Sequence, residues 1–184
     1  MVKVVFLDRD GVLNQDSPDY IKNEAELELF PFAREAVATF RRAGWVVYVA
    51  SNQSVVGRGL STMAEVEAVR EKLVRLAGPF DGIYYCYHTP EDRCECRKPE
   101  PGLLLRGLAD AEEKGPVEEC WMVGDSARDV EAGRRAGCKT AAVLSGRLTA
   151  EAAREISPPP DLIVADVLEA ALVITGGGVG NDGR

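Results

Sequence analysis

The chain has 184 residues, with 22 Lys and Arg against 30 Asp and Glu and a net charge of −8. That balance opposes a general electrostatic grip on nucleic acid or on an anionic membrane, while a local basic pocket for a small phosphorylated ligand remains compatible with it. The length predicts one substantial core rather than two large domains.

No apolar run approaches the roughly 20 residues that cross a bilayer, and no charged amino-terminal segment leads into a signal-like apolar run, so a soluble cytoplasmic protein is expected. The five cysteines form an odd set: Cys86, Cys94 and Cys96 cluster, while Cys120 and Cys138 fall in later core segments. A reducing compartment with a local metal site accounts for this better than a disulfide framework.

In chain order, the apolar run Val2, Val4, Val5, Phe6, Leu7 predicts a buried first strand. Ala33, Ala36, Val37 and Phe40 have helical spacing over 32–43, with Gly44 available to stop the helix, and Trp45 to Ala50 reads as a second strand. Thr62 and Glu65 stand at capping-box spacing ahead of Met63, Val66, Val69, Leu73 and Leu76, expected to form one inward helix face. Gly82 to Cys86 predicts a strand, and Pro101 starts a helix whose inward residues are expected to include Leu104, Leu105 and Leu108.

Cys120 to Gly124, a helix from Ser126 to Ala136, and strands near 140–144 and 161–165 complete the alternation. The expectation is an α/β fold, Rossmann-like, with a mostly parallel central sheet and helices on both faces. Residues 1–175 are expected to form a single domain and 176–184, rich in glycine and without apolar period, a flexible tail. The tail's glycine run lacks the lysine and hydroxyl residue of a phosphate loop.

Four segments carry chemistry. Asp8 and Asp10 follow the first strand; two unpaired acids in a packed interior are costly, but a divalent cation and a phosphate cleft give their charge a use. Ser51-Asn52-Gln53 follows the second strand and offers hydroxyl and amide donors to a phosphate, although by itself it fits an ordinary turn. Lys98 offers a compact positive charge, or is an exposed lysine. Gly124-Asp125-Ser126-Ala127-Arg128-Asp129 places acids at the end of a later strand, and equally suits a capped helix start.

In order, Asp8-x-Asp10-Gly11, Ser51-Asn52, Lys98 and Gly124-Asp125-x-x-x-Asp129 resemble the haloacid dehalogenase-like phosphohydrolase superfamily. The resemblance implies Asp8 as nucleophile, Asp10 as general acid and base, and Ser51 and Lys98 holding phosphate. It further implies magnesium on the Asp8 carboxylate, the Asp10 carbonyl and Asp125, with Asp129 in support.

Cys86-x-His88 and Cys94-x-Cys96 form a second constellation, separated by five residues. Three thiolates and an imidazole match tetrahedral zinc, and a set supplied wholly by protein suits a bracing role rather than water activation. Reduced structural thiols with an uninvolved His88 are the alternative.

With Asp8-Arg9-Asp10-Gly11-Val12-Leu13-Asn14, Ser51-Asn52-Gln53-Ser54, Arg58-Gly59 and Cys94-Glu95-Cys96-Arg97-Lys98-Pro99, the resemblance narrows to the D-glycero-D-manno-heptose 1,7-bisphosphate phosphatase and histidinol-phosphate phosphatase branch. There a zinc-bound loop, not a large cap domain, lies near the substrate entrance. The branch implies cleavage of the C7 phosphate of the heptose bisphosphate. Histidinol phosphate or another small sugar phosphate is the alternative, and a noncatalytic phosphate- or protein-binding module is the alternative of a different class.

Arg97 is a candidate contact to substrate phosphate or sugar, and Arg58 a candidate near a second phosphate; each also suits an exposed surface position. The segment between His88 and Cys94 is shorter than usual in the branch, and Pro31-Phe32 replaces a common Pro-Gly turn. A monomer is expected, because the constellation closes within one chain.

Overall fold

A computed structural model describes residues 1–177. The expected tail lies almost wholly outside them.

Six strands form one sheet: β1 (Val2–Leu7), β2 (Trp45–Asn52), β3 (Gly82–Cys86), β4 (Val117–Gly124), β5 (Lys139–Val143) and β6 (Leu162–Val164). Their order is β3-β2-β1-β4-β5-β6, and every neighbouring pair is parallel. Six helices connect them: α1 (Ala33–Arg42), α2 (Met63–Ala77), α3 (Gly102–Glu112), α4 (Ala127–Arg135), α5 (Ala150–Glu155) and α6 (Val167–Ile174).

Side-chain alternation along β1 divides the core in two. Val5 and Leu7 pack with residues of α1, α2 and α6, whereas Val4 and Phe6 pack with Leu103, Leu104 and Ala111 of α3 and with Met122. Both sheet faces are thus covered, which is why these strands are apolar on both sides.

The chain leaves β1 toward β2 and β3 on one side and returns at β4 to build β5 and β6 on the other. The carboxyl ends of β1 and β4 therefore flank a topological switch point, where an open α/β sheet leaves a crevice. Residues 8–32 form the loop above it, with one short 3-10 turn at Glu24–Glu26.

Two helix faces differ from expectation. On α2 the buried stripe is Val66, Val69, Leu73 and Ala77, while Met63 and Leu76 are exposed. On α3 the buried residues are Leu103, Leu104, Gly107 and Ala111, and Leu105 points outward. The helices α5 and α6 have no counterpart in the sequence reading; α6 is capped by Asp166, whose side chain accepts from the Leu168 and Glu169 amides.

Candidate active site

Asp8 is the first residue beyond β1, and its amide donates to Val123 O at 2.9 Å, fixing it to β4. Its Oδ1 accepts from the Arg9 amide at 2.7 Å and lies 3.0 Å from Lys98 Nζ. The same ammonium lies 2.6 Å from Asp129 Oδ1 and donates to Ala50 O at 2.8 Å. Lys98 is buried, and its charge is met by two carboxylates while one proton goes to a main-chain carbonyl.

Asn52 delivers that lysine: its Nδ2 donates to Lys98 O and its Oδ1 accepts from the Lys98 amide, both at 3.0 Å. Asn52 lines the cavity, but its amide engages the Lys98 main chain rather than standing free for a phosphate.

Asp125, the residue after β4, is buried, and its Oδ2 accepts from the Arg147 amide at 2.9 Å. Gly11 and Gly146 close around this carboxylate; a Cβ at either position would lie within 3.0 Å of Asp125 Oδ2. Ser145 Oγ donates to Gly11 O at 2.8 Å and ties the two glycine loops together. Asp129 begins α4 and accepts from the Ser126 amide at 3.1 Å, so one side chain caps a helix and pairs with Lys98.

Carboxylate oxygens of Asp8, Asp125 and Asp129 all lie within 4.8 Å of one another. Burial pushes Asp8 up to about 6, with Asp129 and Asp10 adding to the rise and Lys98 opposing it. Burial and the charges of Asp8 and Asp129 push Asp125 up to about 7. Burial opposes the charge on Lys98, but Asp129 and Asp8 more than reverse this and hold it above the ordinary lysine range.

Lys98 is ion-paired with two of the three acids, whereas Asp125 has no cationic side chain within ion-pair distance among the described residues. A buried carboxylate facing other carboxylates is a fit for a hard divalent cation, with oxygen ligands at hand.

Asp10 stands apart from that cluster. Its Oδ1 accepts from Arg9 Nε at 3.1 Å, Arg9 Nη2 at 2.9 Å and Asn14 Nδ2 at 2.9 Å; its Oδ2 accepts from Arg9 Nη2 at 3.1 Å and Gln53 Nε2 at 2.8 Å. Burial works against ionisation here, but Arg9, Asn14 and Gln53 outweigh it and hold the carboxyl below its ordinary range. Gln53 also reaches Ser51 Oγ at 3.0 Å, joining two of the sequence-predicted segments.

These groups line a cavity of about 600 Å³ together with Arg58, Arg97, Arg128 and Arg147. Arg97 donates to His88 O at 3.0 Å; burial and the neighbouring guanidinium groups of Arg128 and Arg58 depress its pKa. Arg147 pairs with Asp16, whereas Arg58, Arg97 and Arg128 make no ion pair among the described residues. Three guanidinium groups without an ion-pair partner among the described residues thus line one cavity, a concentration of positive charge suited to an anion.

Beside the opening, Cys86, His88, Cys94 and Cys96 offer donor atoms all within 4.8 Å of one another. Cys86 Sγ lies 3.6 Å from Cys94 Sγ and 3.1 Å from Cys96 Sγ, and His88 Nδ1 lies 3.3 Å from Cys96 Sγ. No cysteine forms a disulfide. Burial opposes ionisation of Cys94, but the Arg97 and Cys96 amides draw its thiol down to about 7. Cys96 stands two residues before Lys98, so the cluster adjoins the segment that carries the buried lysine.

Every site residue expected from sequence falls in these two constellations. Gln53, expected to offer its amide to a phosphate, instead donates to Asp10. Sequence reasoning missed roles for Arg9, Arg128, Gly146 and Arg147. Arg9 and Arg128 lie inside the recognised segments, whereas Arg147 and Gly146 follow β5, where no motif signals them.

The HAD-hydrolase-like family model matches residues 95–170. A D-glycero-beta-D-manno-heptose-1,7-bisphosphate 7-phosphatase of Pseudomonas putida is 39% identical over 173 residues, covering 92% of this chain and 97% of the relative. The corresponding D-glycero-D-manno-heptose-1,7-bisphosphate 7-phosphatase of Chlorobaculum tepidum is 36% identical over 182 residues, covering 91% and 92%.

Among solved structures, the D,D-heptose 1,7-bisphosphate phosphatase of B. bronchiseptica, complexed with magnesium and phosphate, superposes with a TM-score of 0.80 at 33% identity, covering 96% of this chain and 100% of that one. By sequence, fold and the convergence of its four motifs, the chain belongs to the haloacid dehalogenase-like hydrolases, in their heptose-1,7-bisphosphate phosphatase branch.

Proposed function

We propose that this chain is a magnesium-dependent phosphatase that removes the C7 phosphate of D-glycero-D-manno-heptose 1,7-bisphosphate, leaving the 1-phosphate. The observation that carries this reading is the Asp8 carboxylate, ion-paired with Lys98 and clustered with Asp125 and Asp129, in a cavity also lined by Arg58, Arg97 and Arg128. The substrate follows the relatives, whose names specify the heptose bisphosphate.

In the first step an Asp8 oxygen attacks phosphorus, the ester P–O bond breaks, and the departing sugar oxygen takes a proton from Asp10. Water then attacks the aspartyl-phosphate and gives its proton to Asp10, releasing inorganic phosphate and restoring Asp8. Between turnovers its donors favour the ionised form of Asp10; an anionic ester arriving beside it favours uptake of the proton from solvent that the first step uses, and the proton taken from water in the second step returns to solvent.

Ser51 and Lys98 hold the transferring phosphate, with Asn52 setting Lys98 from behind. Asp129 supports the lysine and caps α4. Magnesium on the Asp8 and Asp125 carboxylates and the Asp10 carbonyl would offset repulsion between the nucleophile and the phosphoryl group. Arg58 and Arg97, joined by Arg128, take the second phosphate, which favours a bisphosphate over a monophosphate.

Cys86, His88, Cys94 and Cys96 would hold a zinc ion that braces the entrance loop, in place of a cap domain. The reduced cysteines accord with a cytoplasmic protein, and no described helix is long and apolar enough to cross a membrane. The unit over 1–175 acts as one domain and, with its site closed within one chain, as a monomer.

Asp8→Asn is the decisive test: phosphate release should fall by at least about 10⁴-fold with the circular dichroism unchanged. Near-normal release from the folded variant would refute the nucleophile. For the loop, elemental analysis should find one zinc per chain, and Cys96→Ser should lose the metal and loosen the segment carrying Lys98, seen as faster amide exchange over 87–98.

A further inference from the structure

We infer that Arg9 is a positioning residue for the proton transfers of Asp10, locking one carboxylate oxygen so that the other serves the reacting atoms. Arg9 is the residue between the two acids of the first motif, and a charged side chain there would ordinarily reach solvent. Instead its side chain is 1% exposed and is the largest fully buried side chain of the protein. Its guanidinium lies over the Tyr85 ring at 5.7 Å, and its one ion pair among the described residues is with Asp10.

A buried ion pair is a weak device for stability, because apolar residues of similar volume usually serve as well. A fork laid against one carboxylate does something a hydrophobic pair cannot: it fixes the plane and rotation of the acid. The distribution of donors is asymmetric. Oδ1 receives Arg9 Nε, Arg9 Nη2 and Asn14 Nδ2, which saturates it. Oδ2 receives two donors, Arg9 Nη2 at 3.1 Å and Gln53 Nε2 at 2.8 Å, and the same Gln53 nitrogen reaches Ser51 Oγ at 3.0 Å. With two donors against three, Oδ2 is the oxygen that carries the proton, and Gln53 links it to the Ser51 hydroxyl on the phosphate side.

The inference rests on the acid–base reading of Asp10, and leaving groups separate the two. A sugar oxygen needs a proton as it departs, whereas the nitrophenolate of p-nitrophenyl phosphate departs without one. First-turnover rates on the heptose bisphosphate and on p-nitrophenyl phosphate are measured for wild type, Asp10→Asn, Arg9→Met and Arg9→Lys, with magnesium saturating and folding checked by thermal melting.

In Arg9→Met the sugar-phosphate rate should fall about 100-fold while nitrophenolate release stays within about threefold of wild type and KM is unchanged. Arg9→Lys, which keeps the charge without the fork, should recover only part of that ratio. Equal slowing of both substrates, or a change confined to KM, would mean that Arg9 is merely structural and would overturn the inference. An unchanged rate ratio in Asp10→Asn would defeat the acid–base reading itself; a changed ratio there with an unchanged one in Arg9→Met would defeat only the role of Arg9. If Arg9→Met does not fold, Arg9→Lys carries the same test, and a wild-type ratio in it overturns the inference.

Discussion

The two ends of the same parallel sheet treat aspartate in opposite ways. At the amino-terminal edge, Asp81 precedes β3, and its Oδ2 accepts from the Val47 amide of β2 at 2.9 Å. It also pairs with Arg41 at 2.9 Å and Lys114 at 3.0 Å. Asp161 repeats the device before β6, accepting from the Thr140 amide of β5 at 2.7 Å. At the carboxyl-terminal edge Asp8, Asp125 and Asp129 crowd around the single ammonium of Lys98. An acid that fastens an outer strand is matched by donors of the protein itself; acids that serve chemistry are left two charges short of neutral. That deficit is the size of a divalent cation.

The largest test of this contrast is Asp125→Asn in metal-free protein. Asp125 is raised to about 7, so the folded state holds a proton that the unfolded chain, with a carboxyl near 3.8, has already lost. Stability of the metal-free wild type should therefore fall as pH rises from 4 toward 8, by on the order of 1.4 kcal/mol per pH unit for each such group. Removing the charge should raise the metal-free melting temperature at pH 8, by roughly 1–3 kcal/mol of stability, and leave it unchanged near pH 4. Saturating magnesium should reverse the order, because only the wild type retains the full ligand set. Equal melting of the two proteins at pH 8 without metal would show that the crowd of acids is already compensated.

Gly146→Ala sharpens the contrast without altering a charge. The added methyl would press on Asp125 from the side of its single amide donor, displacing the carboxylate. Magnesium affinity, read from the metal dependence of turnover, should weaken about 10- to 100-fold, as on loss of a group that orients a ligand. An unchanged magnesium dependence would show that Asp125 has slack that its surroundings do not suggest.

Much of this site is legible in the sequence because its parts are short and local: an acid pair after an apolar run, acids at a capped helix start, three thiols and an imidazole within eleven residues. The helix faces were harder. On α2, at roughly 100° per residue, Met63 and Leu76 fall on the two borders of the Val66, Leu73, Ala77 stripe, where spacing alone does not separate buried from exposed. On α3 the buried face joins Leu103 and Leu104 to the small Gly107 and Ala111, because the Phe6 and Tyr84 rings press on Gly107; a reading weighted toward leucine selects Leu105 in their place. Arg9 was illegible for a different reason. Charge predicts exposure, and only the fold shows an apolar face and an acid closing over the same guanidinium.

Asp81→Asn probes the other end of the sheet and carries the smallest expected effect. Burial disfavours the charge of Asp81, but the Val47 amide, Lys114 and Arg41 overcome this and lower its pKa. A lowered carboxylate contributes stability that is present above its unfolded pKa and is lost as pH falls through the folded value. The asparagine should thus be less stable than wild type by about 1 kcal/mol at pH 7, a modest figure because the side chain is partly solvated and both cations are exposed. The difference should shrink as pH drops below about 4, where wild type loses the same charge. It should also shrink in high salt, which screens Arg41 and Lys114 but leaves the amide bond. Denaturant melts across pH 3 to 7 measure this directly, and turnover per folded molecule should stay at the wild-type value throughout. A rise in stability on removing this acid, as expected for Asp125, would erase the distinction between the two edges.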